Sequence, residues 1–277
     1  GDVMGALPQA LKNLDLDVRV ILPKYNNIEE KLKNKLEFVK WIMIPVGWRQ
    51  QYCGLFKCEY KGIMYYFIDN EYYFKRNDIY GYDDDGERFA YFNRAVLTSL
   101  KELDFQPDVI QCNDWQTGML PVLLNCEYKK DSFYQNMKTC FAIRNLRFKG
   151  MFPREVLPDL FGYDYTLYDN GSIEHDGGVS FLKAGLNFSD QIITVSESYA
   201  EEIKTSEYGE GIDYALRDRS NYLIGIINGI DYEEFNPEKD RLIFRNFDKN
   251  QLKNKLENKL TLQKQLGLPQ KEDTPII

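Results

Sequence analysis

Residues 108–121 read DVIQCNDWQTGMLP, and this stretch decides the fold. Asp108 to Cys112 is a short, nearly continuous apolar run of the kind that forms a buried strand. Asn113-Asp114 makes a polar turn, and Trp115 to Tyr128 continues at helical spacing. The same order recurs downstream. Lys138 to Ile143 reads as a strand and is followed by Arg144-Asn145. Phe181 to Phe188 reads as a helix. Gln191 to Val195 is a strand, then Ser196, then a helix through Lys204 in which Ser198 and Glu201 have capping-box spacing. Leu223 to Ile227 is a strand closed by Asn228-Gly229. Such alternation predicts an α/β fold with a Rossmann-like parallel sheet and helices on both faces.

Working towards the amino end, Phe89, Phe92, Val96, Leu100 and Leu103 share one helical face after the acidic turn Asp83-Asp84-Asp85-Gly86. That turn lacks the alternating carboxylates and distal Glu of a calcium loop, so a solvated turn is expected. Residues 37–70 are rich in aromatic and β-branched residues, and Lys61-Gly62 stands at hairpin spacing. This predicts an antiparallel insertion near 37–70. Its Trp41, Trp48, Tyr52, Tyr65 and Tyr66 either build core or stack on sugar rings. Before it, Val3 to Leu14 has helical spacing with Pro8 in the first turn or at a kink, and Val18 to Leu22 is a strand closed by Pro23. At the other end, Asn250 to Leu268 predicts a helix stopped by Gly267 and Pro269. Thr274 to Ile277 then reads as the opening of another strand, so the chain is expected to be a segment of a longer one.

Composition narrows the function. The chain has 277 residues, is 43% hydrophobic and 28% charged, and so has enough apolar content for a real core. A net charge of -8 argues against a nucleic-acid surface. No apolar run reaches transmembrane length and no signal peptide is visible, so neither membrane nor export is expected. Cys53, Cys58, Cys112, Cys126 and Cys140 form no C-x-x-C pair and read as buried, reduced thiols of a cytosolic protein. The one histidine, His175, sits among Glu174, Asp176, Gly177 and Gly178, which read as a polar loop rather than a catalytic setting. No dinucleotide, P-loop or nucleophile-elbow glycine motif occurs, which removes support for hydride transfer and P-loop chemistry.

In open parallel sheets ligands bind outside the carboxyl ends of the strands. That rule selects Asn113, Asp114, Arg144, Asn145, Ser196 and Asn228, with Gly1 and Asp2 before the first helix. Asp114 is the only carboxylate among the post-strand residues. Each also has a plain reading: Asn113 or Asp114 as a helix cap, Ser196 as a cap, Asn228-Gly229 as a turn.

Several of these stretches resemble one family. GDVMGALP at 1–8, VRVILP at 18–23, YDDDGERFA at 82–90 and DVIQCNDWQTGMLP at 108–121 look like the ordered motifs of bacterial glycogen synthases and plant starch synthases. FLKAG at 181–185, ITVSESYAEEI at 193–203, YGEGIDYAL at 208–216 and GIINGIDYEEFNP at 225–237 continue the match over essentially the whole chain. The resemblance implies the GT-B fold and a retaining transfer of glucose from ADP-glucose to the non-reducing end of an α-1,4-glucan. It implies that residues 1–277 are the N-terminal, acceptor-side catalytic domain. A first strand and a C-terminal donor-binding domain would lie outside this sequence, and the chain alone is then expected to be inactive.

The resemblance also implies roles. Asp114 supports the transferring glucose, and Arg144 and Ser180 occupy sugar-contact positions. Gly1 and Asp2 belong to the diphosphate-side loop. Asn113, Trp115, Gln116, Asn145, Lys183 and Asn228 complete the substrate contacts. No metal and no cofactor are implied, with ADP-glucose as the donor substrate. The expected partners are the α-1,4-glucan and, through the other half, ADP-glucose. A homo-oligomer is expected in isolation. The compartment implied is the cytoplasm, or the plastid stroma for a plant protein. Three positions depart from the family: Gln111 and Arg144 where it carries His, and Ser180 where it carries Asn. These departures motivate a second reading, a catalytically degenerate subunit that binds glucan or a partner.

Overall fold

The structure is a computed structural model and describes residues 2–276. It falls into two compact units, one of residues 11–228 and a smaller one of residues 229–276 together with the start of the first helix. That helix, α1, is Asp2–Lys12 and carries Pro8 inside it.

In the larger unit the first sheet is built from β1 (Arg19–Pro23), β2 (Glu37–Val46), β3 (Arg49–Tyr60) and β4 (Ile63–Asp69), in the order β1-β4-β3-β2. β2, β3 and β4 form an antiparallel meander, and β1 adds to β4 in parallel. The turn between β3 and β4 is Lys61-Gly62, both with positive φ, as the tight hairpin turn requires. Alternation sorts the faces of the meander. Ile44, Val46, Cys53, Leu55 and Ile68 are buried, whereas Trp41 (60% exposed), Met43 and Tyr52 look outward. Of the five aromatics singled out in this insertion, Trp41, Trp48 and Tyr52 face solvent and Tyr66 is buried. Helix α2 (Asp85–Glu102) covers the inner face with Phe89, Phe92 and Val96.

The second sheet is wholly parallel. It contains β5 (Val109–Asn113), β6 (Lys138–Ile143), β10 (Gln191–Thr194) and β11 (Leu223–Gly225), in the order β11-β10-β6-β5. The connections carry α3 (Met119–Cys126), α4 (Phe181–Phe188) and α5 (Glu197–Glu202). A small antiparallel sheet of β7 (Met151–Phe152), β8 (Glu174–His175) and β9 (Gly178–Ser180) precedes α4. Helix α2 also packs against α3, so one apolar core serves both large sheets. α6 (Asp213–Asp218) precedes β11, and α7 (Lys253–Gln265) lies in the smaller unit.

Some local expectations are corrected. The helix expected over 115–128 is broken into a 3-10 turn, Trp115–Thr117, then α3, then a second 3-10 turn, Tyr128–Lys130. The break falls at Gly118, where a Cβ would run into the carbonyl of Phe181 at the head of α4. The cap of α5 is Ser196, which accepts the Tyr199 N–H at 3.0 Å, rather than Ser198. His175 is no loop residue: it is buried in β8, with Nδ1 3.2 Å from the Tyr214 hydroxyl. Residues 274–276 form no strand. The strand expected over 223–227 ends at Gly225, although the Ile226 N–H still bonds the Thr194 carbonyl at 2.8 Å. All five cysteines are free; three are buried, and Cys126 and Cys140 are half-buried.

Candidate active site at the carboxyl edge of the parallel sheet

The carboxyl ends of β5, β6, β10 and β11 form one edge, and its residues are tied to one another. Asp114 leaves β5 with φ 55° and ψ −175°. Residues with a side chain rarely enter this region, and holding one there costs about 1–3 kcal/mol. The surroundings enforce it. The Asp114 N–H donates to the Ala142 carbonyl of β6 at 3.0 Å. The Thr117 hydroxyl donates to the Asn113 carbonyl at 2.9 Å and lies 3.2 Å from that of Asp114. This sharp turn carries the carboxylate over the end of β6, where its Oδ1 accepts the Arg144 N–H at 2.8 Å.

Burial pushes the Asp114 carboxyl above its ordinary value. The amides of Arg144 and Asn145 and the Arg144 charge pull it back in part. The Arg144 guanidinium reaches across the edge and donates to Asn228 Oδ1 at 3.1 Å. The Thr194 hydroxyl donates to the Ile143 carbonyl at 3.2 Å, joining β10 to the same row. Asn113 Oδ1 accepts from Gln111 at 3.2 Å, and Asn145 folds onto the Arg147 N–H at 3.0 Å. One carboxylate, one guanidinium and three amide side chains therefore share the edge. Such a set suits electrostatic support of a polar, charge-developing reaction rather than nucleophilic attack through a Ser-His pair.

Other residues expected at the site lie elsewhere. Ser180 is fully buried, donates to the Lys149 carbonyl at 3.0 Å, and caps α4 by accepting the Lys183 N–H at 3.1 Å. The buried Lys183 ammonium donates to the Glu174 carbonyl at 2.6 Å and lies 4.7 Å above the Tyr214 ring. Trp115 is buried against Phe89, edge-on at 5.0 Å, and against Phe152 at 5.9 Å. The Gln116 carbonyl accepts from the buried Asn93 amide at 2.7 Å. Gly1 lies outside the described residues, as does the side chain of Asp2. The edge thus unites Asn113, Asp114, Arg144, Asn145 and Asn228, while Ser180, Lys183 and Trp115 are spent on the interior. Thr117 and Thr194, which hold the edge, carry no distinguishing mark in the sequence: a hydroxyl before a helix reads as a cap.

Among the described residues, no group of three or more His, Cys, Asp or Glu is placed to hold a metal ion. Among the same residues, no helix is long and apolar enough to cross a membrane.

Comparison with known proteins bears on the family of the chain. The family profile of the starch synthase catalytic domain matches residues 1–218. Glycogen synthase of Clostridium perfringens is 59% identical over 277 residues, which is 100% of this chain and 58% of that protein. Glycogen synthase of Anoxybacillus flavithermus is 51% identical over 276 residues, 100% of this chain and 57% of that protein. Among solved structures, the catalytic domain of starch synthase IV from Arabidopsis thaliana, bound to ADP and acarbose, is similar with a TM-score of 0.86 at 30% identity. That likeness covers 97% of this chain and 56% of the other. The chain therefore spans somewhat more than half the length of the relatives it matches.

Proposed function

Because the chain belongs to the starch synthase catalytic domain family of glycosyltransferases, with its GT-B fold, we propose that it is the acceptor-side part of a glycogen synthase. On this reading the whole protein moves glucose from ADP-glucose to the non-reducing end of an α-1,4-glucan with retention. The Arabidopsis relative is bound to ADP and acarbose, and the reading carries a nucleotide and an oligosaccharide over to this chain. The observation that carries it is the placement of Asp114. Its carboxylate is aimed along the carboxyl edge of the sheet by a strained backbone and by the Arg144 main-chain N–H.

The roles follow from charge. Glucosyl transfer develops positive charge at the sugar's anomeric carbon, and a fixed carboxylate beside it lowers that barrier. Asp114 supplies that charge. Arg144, held by Asn228, stands next to it and donates to sugar or phosphate oxygens. Asn113 and Asn145 offer amide groups to the sugar hydroxyls. Gly1 and Asp2 are assigned to the diphosphate side. Ser180 and Lys183 act from beneath, by shaping the start of α4. The diphosphate itself is met by the remaining length of the protein, and neither a cofactor nor a metal enters the scheme. The compartment assigned is the cytoplasm.

The test is glucose incorporation from ADP-glucose into maltoheptaose by the full-length protein. Transfer that collapses in Asp114→Ala supports the reading, whereas an intact rate in that variant removes Asp114 from it. One observation favours the second reading, a glucan-binding subunit without catalysis. The edge carries the long Arg144 side chain, tethered to Asn228, at the position where relatives are expected to place a compact imidazole. Glucan binding without any transfer by the intact protein would establish that alternative.

A further inference from the structure

We infer that Asn228-Gly229 is a self-modification site: assisted by the Arg144 guanidinium, Asn228 loses its side-chain amide as ammonia, and an aspartyl or isoaspartyl residue takes its place at the carboxyl edge. The reaction needs only water. It goes beyond the transfer proposed above, and only its effect on activity rests on that reading.

The chain contains two Asn-Gly pairs, Asn170-Gly171 and Asn228-Gly229. A glycine after asparagine leaves the next main-chain N–H unshielded by a Cβ, so both pairs are open to ring closure in an unfolded chain. The fold separates them.

At the first pair the reacting groups are engaged. The Gly171 N–H donates to the Tyr168 carbonyl at 2.9 Å, and Asn170 Oδ1 accepts the Ser172 N–H at 2.9 Å. Asn170 closes the short helix Thr166–Asp169, and its own N–H donates to the Thr166 carbonyl at 3.1 Å. A main-chain N–H held in this way must break its bond before it can attack.

At the second pair the nucleophile is free and the electrophile is activated. Residues 226–231 lie in neither helix nor strand, and Asn228 and Gly229 are exposed. The border between the two compact units falls between them. Two residues upstream, the Ile226 N–H is anchored to the Thr194 carbonyl at 2.8 Å. Among the described residues, none accepts the Gly229 N–H. The Asn228 side-chain carbonyl, in contrast, accepts from Arg144 Nη1 at 3.1 Å. A guanidinium on that oxygen draws electrons away from Cγ and stabilises the negative charge that builds on the oxygen under attack.

The chemistry then follows. Hydroxide removes the Gly229 N–H proton, and the nitrogen attacks Asn228 Cγ, a ring closure within one chain. The N–Cγ bond forms and the Cγ–Nδ2 bond breaks; Nδ2 takes a proton from water and leaves as ammonia. A five-membered succinimide remains. Water opens it at Cγ to give aspartate, or at the main-chain carbonyl to give isoaspartate. One water has entered and one ammonia has left.

Either product sets a carboxylate where the guanidinium had a neutral acceptor. Arg144 is then held in an ion pair, and its charge is withdrawn from sugar or phosphate oxygens. A second negative charge also joins the edge that carries Asp114. Conversion at 228 therefore turns the edge off as the protein ages.

The experiment holds the full-length protein in mildly alkaline buffer, native and in denaturant. Peptide mass mapping follows acid formation at 170 and 228 in the parent, Gly229→Ala and Arg144→Leu. The native parent converts at 228 severalfold faster than at 170, and the two positions converge in denaturant. Gly229→Ala slows conversion at 228 about tenfold, a barrier change that a Cβ against the closing ring supplies. An added Cβ at Gly229 meets nothing within 4 Å, so this variant keeps the native structure. Arg144→Leu slows native conversion at 228 severalfold and leaves 170 unchanged. Glucose transfer by the parent declines in step with conversion, and Gly229→Ala holds its rate. Native conversion at 228 no faster than at 170 overturns the site, as does a rate there that ignores Gly229→Ala. An unchanged rate in Arg144→Leu overturns the part given to the guanidinium. A parent that converts at 228 but never transfers glucose keeps the modification and overturns the proposed function. Transfer that survives complete conversion keeps the proposed function and overturns the loss of activity inferred here.

Discussion

Asp114 of β5 and Arg144 at the end of β6 are joined through the main chain of the arginine: the carboxylate accepts the Arg144 N–H at 2.8 Å, leaving the guanidinium free to bond Asn228. A side chain at position 144 can therefore change without removing the bond that orients the carboxylate. Asp114→Asn keeps an oxygen acceptor for that N–H and loses the charge. If the proposed function holds, glucose transfer by the full-length protein should fall by about a hundredfold in this variant, the order found when one electrostatic group of an active site is removed. A steady-state rate assay at saturating donor decides it.

The same variant has a pH signature in stability. Burial raises the Asp114 carboxyl, so the folded chain prefers it neutral and its ionised form costs stability. No cost exists where the group is protonated in folded and unfolded chains alike, and the full cost is present above its folded value. Asp114→Asn should melt higher than the parent near neutral pH, and the gap should close as pH falls through the carboxylate range. Thermal melts at several pH values check this; a variant that melts lower throughout contradicts it.

Arg88 pairs with Asp85 in full burial and holds the carbonyls of Tyr73 and Ile79. Arg88→Leu strands a buried carboxylate, and such losses run to about 3–5 kcal/mol. Denaturant unfolding should show a loss of that size, with early protease cleavage between residues 75 and 84.

Gly150 has φ +58° and no room for a Cβ beside Trp115. Gly150→Ala must displace the indole, an overpacking cost of about 1–3 kcal/mol. A shifted tryptophan emission together with a lower denaturant midpoint is the expected pair of observations.

Ser180 caps α4 and satisfies the Lys149 carbonyl from a fully buried position. Ser180→Ala should cost about 1 kcal/mol, the usual worth of a cap. On the proposed function, the full-length protein's Michaelis constant for ADP-glucose should stay put. If it rises severalfold while stability holds, Ser180 touches the sugar after all.

Much of this molecule is written in its local sequence. The apolar runs at 109–113 and 138–143, the helix at 181–188 and the Lys61-Gly62 turn are readable because each depends on neighbours in the chain. The edge residues Asp114, Arg144 and Asn228 follow from one rule about parallel sheets. What escaped depends on distant partners. The break at Gly118 exists because Phe181 lies against it, and His175 is buried because Tyr214 covers it. Ser180 and Lys183 turn inward because the main chain of Lys149 and Glu174 waits for them there. Nor does any local pattern reveal that β1 pairs with β4 and not with the strands of the second sheet.

The two sheets also differ in how far apart their partners lie along the chain. The β3–β4 pairing starts at Tyr60 and Ile63, across a two-residue turn, whereas β6 meets β10 through a bond between residues 51 positions apart. Short loops close first, and long ones must wait until enough contacts repay their lost entropy. A refolding chain should therefore acquire its aromatic meander early and its carboxylate edge late. Hydrogen exchange pulsed during refolding would protect the amides of Leu55 and Phe67 before those of Arg144 and Ile226.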